Sequence, residues 1–176
     1  MNEDKIDKAE QLLKTDLEIY ATIHDSIKGK VLAAIKRYTL ADDEVVLKSN
    51  GVTGWLGELY AALHYGGKII PENESYDILT GDDCRLEVKT RRGVGANWRL
   101  AGTITDREES SPTHLVFVKL NSTYELEAIY EFEWTEEFKK QYLVADGIDE
   151  NTGRRRRRFK FRLKEEFERT HRVYPM

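Results

Sequence analysis

The chain has 176 residues, of which 40% are hydrophobic and 34% charged, with a formal net charge of −4 and one cysteine, Cys84. This composition is typical of a soluble globular protein, and a single cysteine excludes an intramolecular disulfide and a cysteine-rich zinc site. No apolar run approaches the roughly 20 residues that span a bilayer, and residues 1–8 are too acidic and polar for a secretory signal. We therefore expect a cytoplasmic protein with no membrane partner.

The charge is distributed unevenly along the chain. Residues 154–176 hold ten Lys or Arg and three Glu, a balance of +7, whereas the rest of the chain carries 18 basic and 29 acidic residues, or −11. A nucleic acid is contacted by one face of a protein and not by its average charge, so the C-terminal segment favours a local basic patch.

The N-terminal segment, residues 4–38, has the periodicity of an amphipathic helix. Its apolar side chains recur at three-, four- and seven-residue steps and form one stripe. Gly29 is expected to break or bend this segment into two helices, and residues 40–50 are expected to connect it to the next element. The members of the stripe are Ile6, Leu13, Leu17, Tyr20, His24, Ile27 and Val31.

A second helix is predicted over residues 54–65. Thr53 is suited to cap its start, and Gly66 and Gly67 are suited to stop it. Glu58 lies at a different angle from the apolar side chains that this helix would turn toward a core. Those apolar side chains are Trp55, Leu56, Leu59, Ala62 and Leu63.

Strand patterns follow this second helix. Short apolar-rich runs predict three successive strands, at residues 68–70, around Asp77 and around Glu87. Residues 93–111 are polar and contain glycine at their start, and they are predicted to form a loop and a short helix.

The next segment carries the strongest pattern of a buried strand, at residues 114–120. A hairpin turn at residues 121–123 is predicted to lead into another strand at 124–132, followed by a short helix at 135–142. This order of elements predicts an α/β fold in which a mixed β-sheet is flanked by helices, with an N-terminal helical extension.

Asp77, Glu87 and Lys89 point most directly to a function. Asp77 and Glu87 lie in two strand-like runs separated by a polar turn. Because side chains alternate along a strand, Glu87 and Lys89 are expected on one face, with Leu86 and Val88 on the other. Two carboxylates and an ammonium group would then stand together, which suits a divalent metal ion and a phosphodiester.

Hydrolysis of a phosphodiester needs a nucleophilic water, stabilisation of the phosphoryl charge and help for the leaving alkoxide, and a divalent cation assists all three. Mg²⁺ prefers hard oxygen ligands and is typically held by one or two carboxylates, water and substrate phosphate. We expect Asp77 and Glu87 to bind Mg²⁺, or Mn²⁺ in its place, with the Val88 backbone carbonyl as a further ligand. Glu58 would complete the metal shell or hold a second ion. Lys89 would orient or help deprotonate the attacking water and offset phosphate charge.

The spacing of an acidic residue two positions before a lysine is common in a chain this rich in charge. It occurs at Glu3 and Lys5, at Glu87 and Lys89, and at Glu137 and Lys139. The first and third pairs lie in helical surroundings, where a solvated charged face is the better interpretation. Only the second lies on a strand pattern, after Asp77 and after a helix that bears Glu58. The alternative for that pair is a surface ladder of ion pairs on a half-exposed sheet, which is disfavoured because strands tend to avoid Asp and Lys.

Residues 54–90 resemble the core of the PD-(D/E)XK, or restriction-endonuclease-like, nuclease superfamily. Residues 54–62 are similar to the first core helix of Mrr-like and Holliday-junction-resolvase-like members, with Glu58 at the acidic position. Asp77 matches the motif aspartate, although Tyr76 precedes it in place of proline, and residues 87–89 match the (D/E)XK triplet. The resemblance implies metal-dependent cleavage of nucleic acid on a mixed sheet, with residues 114–120 as the fourth core strand.

We therefore expect a single domain, residues 1–176, with a helical extension (1–48), a nuclease-like core (49–142) and a basic C-terminal segment (143–176). Its expected activity is that of a Mg²⁺-dependent endonuclease acting on DNA, of restriction or DNA-processing type. A homodimer is expected because double-strand cutting by one active site per chain calls for two chains. Two alternatives stay open: a non-catalytic DNA-binding or assembly module that retains the fold, and a structure-specific or RNA nuclease.

Basic side chains after the triplet and near the C-terminus are the candidates for contact with the nucleic-acid backbone. From residue 158 cations alternate with apolar residues, which predicts a strand that packs Phe159, Phe161 and Leu163 and exposes the cations. An edge strand kept soluble by its charge is the alternative. The candidate contact residues are Arg91, Arg92, Arg154, Arg155, Arg156, Arg157, Arg158, Lys160 and Arg162.

Overall fold

Helical periodicity at the N-terminus gives way to strand alternation along the chain, and a computed structural model shows a mixed α/β fold accordingly. The structure describes residues 3–40, 51–70, 76–93, 100–105, 111–145 and 158–175. The elements in chain order are α1 (Glu3–Tyr38), α2 (Val52–Tyr65), β1 (Lys68–Ile69), β2 (Ile78–Leu79), β3 (Arg85–Arg92), β4 (Leu100–Thr105), β5 (His114–Leu120), β6 (Leu126–Glu133), α3 (Glu136–Tyr142), β7 (Leu143–Ala145), β8 (Arg158–Arg162), α4 (Phe167–Thr170) and β9 (Arg172–Tyr174).

Helix α1 is continuous over 36 residues, so the predicted break at Gly29 is wrong. A glycine in a helix interior costs about 1 kcal/mol relative to alanine, which packing of the same helix can outweigh. Val31 and Ile35 supply that packing, because both are buried against α2 and the main sheet.

Helix α2 begins at Val52 with Gly51 as its N-cap, and no side chain caps it. The prediction of Thr53 as the cap is therefore wrong. The predicted stop is confirmed, because Gly66 adopts the left-handed backbone conformation (φ 64°) that favours glycine. Gly67 allows the chain to pass close to β2, where an added Cβ would lie 2.4 Å from Ile78 Cγ2.

The main sheet has six strands in the order β1-β2-β3-β5-β6-β9. Strands β1, β2 and β3 form an antiparallel meander, β3 and β5 are parallel, and β6 is antiparallel to both β5 and β9. The predicted mixed sheet is confirmed. Residues 172–174 belong to this sheet as β9, so this part of the C-terminal segment is an integral strand of the fold.

The two faces of the main sheet support separate cores. Helices α1 and α2 cover one face, and their core includes Ile35, Trp55, Leu86, Val88 and Val116. A three-stranded sheet in the order β4-β8-β7, together with α3 and α4, covers the other face. The second core is built mainly from aromatic and large aliphatic side chains, among them Ile104, Leu115, Phe117, Phe132, Phe138, Phe161 and Phe167.

The second sheet corrects two sequence-based interpretations. Residues 100–105, predicted as part of a loop and short helix, form β4 and pair with β8. Strand β8 is the central strand of its sheet and not an edge strand, because β4 and β7 pair with it on either side. The predicted helix at 135–142 is confirmed as α3, and Thr135 caps it by accepting a hydrogen bond from the Phe138 N–H at 3.1 Å.

Strand β6 begins at Leu126, two residues later than predicted, because Tyr124 is still in the turn with a φ of 67°. Among the described residues, no helix combines the length and the apolar character needed to cross a membrane.

Candidate active site

Strand β3 presents Glu87 and Lys89 on the same face of the main sheet. Leu86 and Val88 belong to the core under α1 and α2, so the alternation of a strand turns Glu87 and Lys89 toward the opposite face. There the Lys89 Nζ lies 2.6 Å from the Glu87 Oε1. Glu87 is only 8% exposed, so this ion pair lies largely out of solvent.

Asp77 is held beside this pair by the meander of β2 and β3. Its backbone N–H donates to the Leu86 carbonyl at 2.8 Å, which continues the β2–β3 pairing by one residue. Its side chain then accepts a hydrogen bond at Oδ2 from the Val88 N–H, also at 2.8 Å. The N–H and C=O of one strand residue point to the same side, so the Val88 carbonyl faces the edge where Asp77 lies.

Glu58 lies on α2, a helix that packs unusually close to β3. A Cβ on Gly57 would lie 1.7 Å from the Thr90 Oγ1, so only glycine permits this approach. Glu58 follows directly and is 5% exposed. Sequence analysis selected Glu58 but missed Gly57 and Thr90. The available signal was a glycine one position before the acidic residue, on the apolar side of the helix.

The carboxylates of Glu87, Asp77 and Glu58 all act on the Lys89 ammonium. Burial alone would lower the pKa of Lys89, but attraction to Glu87, then Asp77 and finally Glu58, with the Glu87 hydrogen bond, raises that pKa above its ordinary value of 10.5. Lys89 is therefore charged at neutral pH. Counted alone, these three carboxylates and one ammonium carry a formal charge of −2, so they would attract a cation.

The ligand atoms of this cluster are of the type that Mg²⁺ and Mn²⁺ prefer. Its side-chain ligands are carboxylate oxygens, and Mg²⁺ needs only one or two of them when water and phosphate supply the rest. Within the ranges that the structure describes, no three His, Cys, Asp or Glu side chains already form a group that could hold a metal ion. Glu87 in particular is engaged by Lys89. A cation at this site would have to compete with that ion pair.

The two arginines after the triplet point to opposite faces of β3. Arg91 is two positions after Lys89, so it shares the face of Glu87 and Lys89 and is half-buried. Arg92 is exposed on the other face, with its guanidinium 4.7 Å from the centre of the Tyr124 ring. Arg91 therefore lies on the side of the candidate site, and Arg92 does not.

The basic strand β8 places its charges on an outer surface. Phe161 and Leu163 are buried, whereas Lys160 and Arg162 are exposed, as the alternating pattern predicts. Arg158 is the first residue of β8, and the run Arg154, Arg155, Arg156 and Arg157 lies outside the described residues. Because Phe161 faces the main sheet, Lys160 and Arg162 point away from it and from Glu87.

The other acidic residues near the motif have structural roles. Asp82 accepts a hydrogen bond from the Thr80 hydroxyl, and this bond lowers the pKa of Asp82 in the exposed turn between β2 and β3. Asp83 is also exposed there, with a φ of 64°. Lys139, of the third Glu-x-Lys spacing, lies on α3 and pairs with Glu136. The helical interpretation of that spacing is confirmed.

No protein-family model matches the chain, and no match to it is found among curated proteins.

Proposed function

We propose that this chain is an endonuclease that hydrolyses phosphodiester bonds in DNA with the help of Mg²⁺ or Mn²⁺, on a restriction-endonuclease-like core. The observation that carries the proposal is the buried pair of Glu87 and Lys89 on β3, with Asp77 hydrogen-bonded to the Val88 N–H between them. The charges of Asp77 and Glu58 also raise the pKa of Lys89. A surface ladder of ion pairs would be solvated. Here Glu58 and Glu87 are both less than 10% exposed. Burial of charged groups is costly, and clusters of buried charged groups are found preferentially at functional sites.

In the proposed reaction, a water oxygen forms a bond to phosphorus and the bond from phosphorus to one sugar oxygen breaks. One proton of the water stays with the new phosphate group, and the other neutralises the leaving alkoxide. Asp77 and Glu87, with Glu58 and the Val88 carbonyl in support, would hold the cation. That cation supplies charge stabilisation and an acidified water when it is bound.

The protein groups have separate parts in this reaction. Lys89 keeps its proton at neutral pH, so it would offset phosphoryl charge and orient water rather than remove a proton. Asp77 is oriented by the Val88 N–H before any ligand arrives, which reduces reorganisation on binding. Arg91, on the same strand face, is a candidate for holding the phosphate beside the scissile one.

The second candidate is a non-catalytic DNA-binding or assembly module that retains the fold. Exposed Lys160 and Arg162 favour it, because they lie on an outer surface that points away from Glu87. Calorimetry with Mn²⁺ distinguishes the two. Salt-sensitive affinity for DNA with no heat of cation binding favours the module, and cation binding that is lost in Asp77→Asn favours the endonuclease.

The proposed function is tested with a substrate panel of plasmid, linear duplex, single-stranded and branched DNA, and RNA, each with Mg²⁺, Mn²⁺ or a chelator. Wild-type protein is expected to cleave at least one DNA substrate when a cation is present. Lys89→Ala should not cleave, and Lys139→Ala, which removes a half-buried and ion-paired lysine of the same spacing, should cleave like the wild type. If the protein cleaves RNA but no DNA, RNA would be assigned as the substrate in place of DNA. If Lys89→Ala cleaves as well as the wild type, the proposed active site would be rejected.

A further inference from the structure

Arg85, the first residue of β3, is a half-buried cation without a counter-charge. Its Nε atom is shut off from solvent and has no hydrogen-bond partner. Among the residues that the structure describes, no carboxylate forms an ion pair with its guanidinium. The residue as a whole is only half-buried, so an anion can reach the guanidinium from outside. A cation that is partly desolvated and unpaired is costly, and a bound anion would remove that cost.

Strand β3 places Arg85 on the face of the candidate active site. Arg85 lies two positions before Glu87, and Leu86 between them belongs to the core under α1 and α2. Because side chains alternate along a strand, Arg85 shares the face of Glu87, about 7 Å away along the strand. Thr113 fixes the backbone of Arg85, because its hydroxyl accepts from the Arg85 N–H at 2.8 Å and donates to the Arg85 carbonyl at 3.1 Å.

Trp134 supplies a second donor at the same end of the main sheet. It is 8% exposed, and within the described part of the chain its Nε1 has no hydrogen-bond partner. Thr113 lies between the two residues, because its N–H donates to the Arg85 carbonyl at 2.7 Å and its carbonyl accepts from the Trp134 N–H at 2.8 Å. Trp134 belongs to the second core, so its side chain lies on the same face as that of Arg85. Two strand spacings separate their backbones by about 10 Å, a gap that two long side chains and one tetrahedral anion can bridge.

The carboxylates that are close in sequence leave the charge of Arg85 uncompensated. Glu87 is paired with the lysine of its own strand. Asp82 and Asp83 lie in the exposed turn before β3, where water and salt screen them. Glu133 is exposed, and its position two residues after Glu131 and four after the core residue Ile129 places it on the opposite face of the sheet.

We propose that Arg85, with the Trp134 N–H as a second donor, binds a phosphate group of the nucleic-acid strand that is cut at Glu87 and Lys89. Arginine matches a phosphate with two parallel N–H bonds, which favours it for this role. The distance of about 7 Å to Glu87 makes this phosphate a neighbour of the scissile one. The inference rests on the proposed function and adds a positioning residue to it, so that Arg85 and Arg91 would hold the strand on either side of the site.

The test is fluorescence anisotropy of the full-length protein with a labelled DNA duplex, in a chelator and at a series of salt concentrations. Arg85→Gln should weaken binding by about tenfold or more and reduce the slope of log affinity against log salt by about 1. The matched control, Arg37→Gln, removes an exposed arginine at the end of α1 and should bind like the wild type. Arg85→Lys keeps the charge but loses the planar fork, so it should restore the slope and only part of the affinity.

Urea titration separates this role from a structural one. Because the Arg85 guanidinium has no ion-pair partner among the described residues, Arg85→Gln should leave the free energy of unfolding unchanged or raise it. An arginine that only supported the fold would lose stability on substitution and leave the salt slope unchanged. Trp134→Phe keeps an aromatic ring and removes the second donor, so it should weaken binding of the duplex by about three- to tenfold.

Cleavage assays with Mn²⁺ on the same proteins distinguish the two proposals. If the wild type binds and cleaves DNA while Arg85→Gln binds with the affinity and slope of Arg37→Gln, the phosphate site is overturned and the endonuclease stands. If Arg85→Gln binds more weakly with a lower slope while the wild type cleaves nothing, the phosphate site stands and the endonuclease is rejected. A wild type that binds no DNA would overturn both.

Discussion

The backbone N–H of Val88 donates a hydrogen bond to the Oδ2 atom of Asp77 at 2.8 Å, so strand β3, which bears Glu87 and Lys89, also orients the aspartate that precedes β2. The backbone of Asp77 is held as well, because its N–H donates to Leu86 and its carbonyl accepts from Ile70. Asparagine retains an oxygen acceptor at this position. Asp77→Asn should therefore fold normally and remove one negative charge from the site, which makes it the cleanest variant of the cluster.

Cation binding should stabilise the folded protein through this cluster. At a cation concentration about 100 times the dissociation constant, a site present only in the folded state adds about 2.7 kcal/mol, which corresponds to several degrees in Tm for a domain of this size. We expect Mn²⁺ to raise the Tm of the wild type by that amount and to have little effect on Asp77→Asn or Glu87→Gln. Glu137→Gln, on the exposed face of α3, is the control and should respond like the wild type. An equal shift in all four proteins would place the cation elsewhere.

The contact between Gly57 and Thr90 predicts that Gly57→Ala is destabilising. The added methyl group would stand 1.7 Å from the Thr90 Oγ1 and 2.7 Å from its Cβ, so helix α2 must move away from β3. We expect a loss of about 1–3 kcal/mol in the free energy of unfolding, as for overpacked cores, measured by urea titration.

Gly29→Ala serves as the control for that substitution. No atom lies within 4 Å of a Cβ at Gly29, so alanine should stabilise α1 by up to about 1 kcal/mol. In the Gly57→Ala protein, Thr90→Ala should restore part of the lost stability, because it removes the closest contact. Additive effects of the two substitutions would mean that the strain lies elsewhere.

The sequence alone was sufficient to predict the elements with strong periodicity and the order of the motif residues along the chain. Strand β5, helix α3 and the stop of α2 at Gly66 lie where local patterns predict them. Strand β4 was missed because its partner β8 lies more than fifty residues away, and its own sequence has no strong alternation. Pairing over that distance depends on tertiary structure and not on local propensity.

Dependence on tertiary structure also limited what the sequence could predict about the candidate site and about α1. The sequence pattern indicated Glu58, but the position of its helix relative to β3 depends on the close contact between Gly57 and Thr90, which no local pattern predicts. The apolar stripe on α1 was visible as a pattern. A pattern identifies an apolar face without specifying what covers it, and the structure leaves residues 11–23 of that face exposed.

The buried phenol group of Tyr65 leads us to expect that the folded protein loses stability at alkaline pH. Burial, together with a 2.5 Å hydrogen bond to Glu131 and the charge of that carboxylate, raises the pKa of Tyr65 above its ordinary value of 10.0. The folded state thus holds the phenolic proton after the unfolded state has lost it. The stabilisation is complete below pH 10.0 and declines as the pH rises above it.

Tyr65→Phe should therefore lower the free energy of unfolding by about 1 kcal/mol at neutral pH, because the hydrogen bond is lost. Above pH 10.0 the free energy of unfolding of this variant should fall less steeply than that of the wild type. Urea titrations at neutral and alkaline pH measure both effects. Tyr38→Phe, at a tyrosine that is 61% exposed, is the control and should follow the wild type. Identical alkaline slopes for Tyr65→Phe and the wild type would contradict the assignment.

The exposed cations of β8 predict a change in the salt dependence of DNA binding. If Lys160 and Arg162 each contact a phosphate, the double alanine variant should reduce the slope of log affinity against log salt by about 2. Lys36→Ala/Lys140→Ala removes two exposed lysines from α1 and α3 and should leave the slope unchanged. Fluorescence anisotropy with a labelled duplex, at a series of salt concentrations, measures this slope. An equal change in both variants would show that net charge alone controls binding.

The most direct test of the central claim compares cleavage by Asp77→Asn and Asp82→Asn in Mn²⁺, on whichever DNA substrate the wild type cuts. Both substitutions remove one aspartate charge from the β2–β3 region, but only Asp77 lies in the cluster with Glu87 and Lys89. We predict that the single-turnover rate falls by at least about 100-fold in Asp77→Asn and stays near the wild-type rate in Asp82→Asn. Equal rates in the two variants would contradict the assignment of the cluster as the active site.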